Sequence, residues 1–95
     1  MRKTIATIAA TGALLTLGAG VASAGWSGDY LASGVNIRSA PVTGTVKGLG
    51  YPGQGVCTTQ AQQASDGYYW GYHRNLTTAV TGWSRGDLLS VTGGC

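Results

Sequence analysis

A chain of 95 residues has room for one small domain. Only 9% of it is charged, Phe is absent and 17 residues are Gly, a composition that argues against long amphipathic helices and against acidic or basic tails. The formal charge of +3 rests in part on Arg2 and Lys3.

Those two cations open a three-zone N-terminus. The stretch from Ile5 to about Val21 is uncharged and rich in Ala, Leu, Ile and Thr. Ala22-Ser23-Ala24 then places small residues at the −3 and −1 positions before Gly25. This order is that of a secretory signal peptide: the positive end stays inside, the apolar stretch enters the translocon, and the small residues fit the peptidase. The rival reading is a membrane anchor, for which the run falls short of roughly 20 apolar residues. Residues 1–24 are therefore expected to be removed, and the domain at 25–95 to be secreted and extracellular, with no membrane contact after cleavage. The compact signal points to a bacterial source.

The remaining stretch carries Arg38, Lys47, Arg74 and Arg85 against Asp29, Asp66 and Asp87, a net charge of +1. No basic patch suited to nucleic acid remains. Domains of this size bury only about 60% of their unfolded surface and are marginally stable without help. Cys57 and Cys95, 38 residues apart, are expected to form a disulfide in an oxidising compartment. A metal pair or an intermolecular bridge are the alternatives; a metal needs further ligands, and His73 is the one His in the chain.

Short alternating runs replace helical periodicity and predict an all-β fold. Val35 to Arg38 is a strand closed by Pro41, and Thr45-Val46 begins another extended piece. Gly50 to Gly53 forms a turn in which Pro52 presets φ and Gly53 supplies a positive φ. Val56 to Ala61 is a strand, Gln62 to Gly67 a polar loop, and Tyr68 to Arg74 an aromatic strand with Tyr68, Trp70 and Tyr72 on one face. Asn75 to Gly82 is a second hairpin loop, Trp83 to Arg85 a strand, and Asp87 to Leu89 turns the chain into a last extended piece at Ser90 to Thr92. About five short strands suggest a small β-barrel, since closure removes exposed edges.

Leu31-Ala32-Ser33-Gly34-Val35-Asn36-Ile37-Arg38-Ser39-Ala40-Pro41 resembles the opening motif of bacterial SH3-like (SH3b) domains. Thr43 to Gly48 resembles the piece that follows it in the family, Trp70 to Arg74 a later strand, and Gly82 to Leu89 the closing segment. Ser84, where the family usually has an aliphatic residue, and the two cysteines depart from the pattern. The resemblance implies a small SH3-like barrel of the kind attached to cell-wall-acting proteins, several of which bind peptidoglycan or its cross-bridge peptides.

No catalytic constellation stands out. The Asp residues lack calcium-loop spacing, and Lys47-Gly48 is no phosphate loop. Neither enzyme activity nor a cofactor or metal is expected. Arg85-Gly86-Asp87 reads as a turn rather than an adhesion motif, and Asn75-Leu76-Thr77 as hairpin loop rather than glycosylation site.

The aromatics are the binding candidates. Trp83 is expected in the core. Tyr51, Tyr69 and Tyr72 are expected to contribute to a surface groove, although Tyr69 and Tyr72 fall on opposite faces of a regular strand. Flat rings and hydroxyls suit a peptide or glycan. The domain is thus expected to be a monomeric, non-catalytic module for cell-wall peptidoglycan, the alternative being one that recruits or inhibits a secreted partner protein. Intact-mass analysis of culture supernatant checks the processing: the secreted species should begin at Gly25, and a secreted species still carrying residues 1–24 contradicts it.

Overall fold

A computed structural model describes residues 25–95; the signal peptide expected at 1–24 lies outside the described residues. Seven strands follow in chain order: β1 (Trp26–Gly28), β2 (Val35–Arg38), β3 (Val46–Gly50), β4 (Val56–Gln63), β5 (Tyr69–Asn75), β6 (Thr81–Arg85) and β7 (Gly93–Gly94). A 3-10 turn, Gly86–Leu88, separates the last two. All seven pair antiparallel in one sheet of order β3-β2-β6-β5-β4-β1-β7.

Hydrogen bonding leaves the sheet open, with β3 and β7 as its edges, where the sequence suggested a closed barrel. The sheet nevertheless curls. Val35 and Ile37 of β2 and Val56 of β4 lie three strand spacings apart, yet they share one core cluster with Tyr30. A flat sheet cannot bring them together, and the right-handed twist of strands allows the wrap.

The turn chemistry follows the sequence closely. The Gln54 N–H donates to the Tyr51 carbonyl at 3.1 Å, which puts Pro52 and Gly53 at the two central positions, and Gly53 has φ +96°. Asp29 holds this loop from outside: its carboxylate accepts the N–H groups of Gly53 at 2.7 Å, Tyr30 at 2.8 Å and Gly55 at 3.1 Å. Strand β4 runs two residues beyond its expected end and shortens the polar loop accordingly. Strands β1 and β7 went unread, because a Trp-Ser-Gly and a Gly-Gly segment show no alternation.

Tyr30 is the centre of the core. It is 2% exposed, and its hydroxyl donates to Nε2 of His73 at 3.0 Å. The His73 Nδ1 lies 3.2 Å from the Gly71 carbonyl, which can only accept. The ring is therefore the neutral tautomer protonated at Nδ1. Gly50 lies against the Tyr30 ring so closely that a Cβ there would overlap it.

Among the described residues, Tyr30, Val35, Ile37, Val56 and Trp70 are the buried hydrophobics, a small core. The bridge between Cys57 and Cys95 supplements it, with sulfurs 2.02 Å apart and Cα atoms 5.9 Å apart. It fastens the C-terminal residue to β4, and closing a loop of this length contributes about 4 kcal/mol by the chain-entropy estimate.

The buried groups set a pH window. Burial lowers the His73 pKa below 6.5, so as pH falls the unfolded chain takes up the proton first and stability declines. Burial raises Tyr30 from 10.0 to about 12, so above pH 10 the unfolded chain loses the proton first and stability declines again. The backbone N–H of Gly53, with those of Tyr30 and Gly55, lowers Asp29 from 3.8, and that contribution is lost at still lower pH. Urea denaturation across pH should show a plateau between about 6.5 and 10 that falls on both sides. A stability that keeps rising below pH 6 would contradict the buried neutral His73.

Candidate functional site

Strand parity sorts the side chains of the central strands onto two faces. On β5, Gly71, His73 and Asn75 are buried on the inner face, and Trp70, Tyr72 and Arg74 take the outer face. On β6, Gly82 and Ser84 face inward, and the Ser84 hydroxyl donates to the Asn36 carbonyl at 2.6 Å. That hydrogen bond satisfies the buried hydroxyl and accounts for a serine, where an aliphatic side chain could not make it, at an inward position of β6.

It also corrects the expectation for Trp83. With Gly82 and Ser84 turned inward, Trp83 lies on the outer face, half-buried. Its ring meets that of Tyr72 edge-on, with centroids 5.4 Å apart and planes at 61°. The core aromatic is Tyr30, which lies ahead of the alternating segments and carries no periodic signal.

Trp70 stands between two clefts. The first, about 290 Å³, is apolar: Trp26, Ala61, Tyr69, Leu89 and Val91 form most of its wall, with Thr58, Gly71 and Gly86 beside Trp70. Trp26, Tyr69 and Val91 are 49%, 62% and 66% exposed. The second, about 340 Å³, is mixed: Val35, Val42 and Leu88 supply apolar wall, while Asn36, Arg38, Asp66 and Arg85 supply polar groups.

The polar groups of the second cleft are unequally engaged. The Asp66 carboxylate accepts the Trp70 indole N–H at 3.0 and 3.2 Å and the Tyr68 N–H at 3.1 Å. Arg85 pairs with Asp87 at 2.7 Å, and its guanidinium lies 4.3 Å from the Tyr68 ring centre. The Arg-Gly-Asp tripeptide is thus closed on itself at the 3-10 turn. Arg38 donates to the Gly44 carbonyl at 2.9 Å, and among the described residues no carboxylate lies within 4 Å of it. Val42, a β-branched residue, has φ 67°, and the Thr43 N–H donates to the Pro41 carbonyl across it at 2.7 Å. This is the rarer, strained form of γ-turn, a conformation costing on the order of 1–3 kcal/mol.

The three tyrosines expected to form one groove are separated. Tyr69 lines the apolar cleft. Tyr72 lies on the outer face against Trp83 and lines neither cleft. Tyr51 lies half-exposed at the start of the Pro52-Gly53 turn and also lines neither. The bulge that could have brought Tyr69 and Tyr72 together is in β4, between Thr58 and Gln60, so β5 keeps its alternation. Trp26, Arg38 and Leu89 were missed as lining residues, since cleft membership depends on the curl of the sheet.

His73 is 1% exposed with both ring nitrogens engaged, which removes it from contact with any substrate. Asn75 is fully buried, donating to Gln54 Oε1 and accepting from the N–H groups of Thr77 and Thr78, so the apparent glycosylation sequon is structural. Among the described residues no three His, Cys, Asp or Glu side chains group as metal ligands, and no helix is long and apolar enough to cross a membrane. In comparisons with known proteins, no family model, curated protein or solved structure matches this chain.

The placement of Trp83 has a measurable consequence. Trp83→Ala should cost about 1–2 kcal/mol, the loss of a half-buried ring and one edge-on contact. Tyr30→Ala should cost about 3–5 kcal/mol as a core truncation. Equal costs for the two in urea denaturation would return Trp83 to the core.

Proposed function

We propose that residues 25–95 form a secreted, non-catalytic binding module that recognises cell-wall material through the apolar cleft beside Trp70. The observation that carries this reading is the exposure of Trp26 and Tyr69 along that cleft. Large rings left in water are costly unless they meet a partner, and two flat rings flanking an apolar slot suit the face of a sugar or an extended peptide. The inaccessibility of His73 supports a binding role over a catalytic one. The disulfide is compatible with the oxidising space outside the cell.

The finer family reading belongs to the same proposal. The four segments that resemble SH3b motifs overlap β2, β3, β5, and β6 with its 3-10 turn. A strongly curled antiparallel sheet around one small core is in keeping with an SH3-like domain, although its hydrogen bonding leaves two edges.

Co-sedimentation of the domain with purified cell wall, with secreted proteins as competing bait, tests the reading. Retention should survive added salt, because the cleft is apolar. Tyr69→Ala and Trp26→Ala should each weaken it by about 1–2 kcal/mol with little change in melting, as expected of exposed hot-spot rings. Saturable capture of one secreted protein in place of wall would establish the alternative, a module that recruits or inhibits a partner. Unchanged retention in both variants would remove the apolar cleft as the site.

A further inference from the structure

We infer that the second cleft, on the outer face of β2, β6 and β5, is a carboxylate-binding site centred on Arg38, suited to a monoanionic ligand with a small apolar body such as the terminal residue of a peptide. The inference does not depend on what fills the apolar cleft on the other side of Trp70.

Charge accounting comes first. Of the two arginines lining this cleft, Arg85 is neutralised by Asp87. Arg38 has no such partner among the described residues, and its hydrogen bond to the Gly44 carbonyl uses a single N–H of five. It is half-buried, so water compensates it less fully than it does an exposed cation. A planar guanidinium with several donors to spare matches a carboxylate in two parallel hydrogen bonds. The side-chain amide of Asn36, which shares this face of β2, and the Ser33 hydroxyl also line the cleft without a protein partner among the described residues.

The surroundings narrow the ligand. Val35, Val42 and Leu88 beside Trp70 provide apolar wall for an aliphatic body. A volume of about 340 Å³ is at the low end for small-molecule sites and admits a fragment rather than a long chain. Asp66 holds a negative charge on the lining, which disfavours a dianion such as a phosphate monoester while leaving room for one carboxylate near Arg38. The strained backbone at Val42 forms part of the same wall, and such outliers concentrate where a surface is shaped for contact.

The test titrates isotope-labelled domain with sodium acetate against sodium chloride at equal ionic strength, and separately with inorganic phosphate, following backbone amides and the Arg38 Nε–H by NMR. Acetate should give saturable shifts at Arg38, Ser33 and Gly34 that chloride does not. Asn36→Asp places a carboxylate two residues from Arg38 on the same face, so it should weaken acetate binding at least tenfold while melting unchanged. Arg38→Lys, which keeps the charge and loses the planar fork, should weaken it severalfold. Absence of saturation, an unchanged response in folded Asn36→Asp, or tighter binding of phosphate than of acetate would each overturn the assignment. Wall retention measured on the unsubstituted domain and on Asn36→Asp keeps the two readings separate: retention of an unsubstituted domain that does not bind acetate overturns this inference alone, acetate binding by an unsubstituted domain that is not retained overturns the wall reading alone, and Asn36→Asp should be retained while it loses acetate.

Discussion

Tyr30 packs its ring closely against Gly50 and sets its hydroxyl on His73, and most of the architecture can be understood from that placement. The ring occupies the volume enclosed when the sheet curls, between the end of β3 and the inner face of β5. A side chain of any size at position 50 would push the ring out. A hydroxyl buried here without a partner would cost on the order of 1–3 kcal/mol. His73 supplies that partner, and the Gly71 carbonyl two residues back fixes the tautomer that can accept. One aromatic residue thus couples apolar filling to a satisfied polar network, and it draws β1, β3 and β5 toward a common centre without a closed ring of backbone hydrogen bonds.

The economy of that core explains where the other aromatics go. With the inner face of β5 given to Gly71, His73 and Asn75, and that of β6 to Gly82 and Ser84, there is no inward place for Tyr72 or Trp83. They cover the outer face and brace each other. Trp70, on the same face, is buried under the turn that carries Asp66, whose carboxylate takes its indole N–H. Trp26 and Tyr69 are left at the rim of the apolar cleft. The domain therefore has its rings distributed around a core built chiefly from one tyrosine and three aliphatic residues, and the disulfide adds by covalent constraint what so small a buried volume does not.

The loops are held more firmly than their composition suggests. Asp29 gathers the backbone of the β3–β4 loop, and Gln54 links that loop to Asn75 in the β5–β6 connection. Tyr51 is consequently an exposed ring on a fixed support, some way from the two clefts beside Trp70. The paired charges of Arg85 and Asp87 close the segment after β6 in the same manner, leaving Arg38 as the cation in the polar cleft without an ionic partner among the described residues.

Several features were legible in the residues alone. Alternation marked β2, β4, β5 and β6 because each strand has one buried face, and period two is the imprint of that. Pro52 and Gly53 announced their turn because ring closure and the absence of a Cβ restrict backbone angles locally. The pairing of two cysteines followed from their number. Other features depended on contacts between distant segments. Which of two equally amphipathic faces turns inward on β6 was decided by Ser84 reaching the Asn36 carbonyl, 48 residues away in the chain. That choice sent Trp83 outward. The separation of Tyr69 from Tyr72 followed from the β4 bulge leaving β5 regular, and the meeting of Trp26 with Val91 at one cleft followed from the curl of the sheet. The sequence by itself determined the local conformations, because torsional preference and strand period act over a few residues. Tertiary structure alone decided the core and the clefts, because burial and charge compensation are properties of residues brought together from far along the chain.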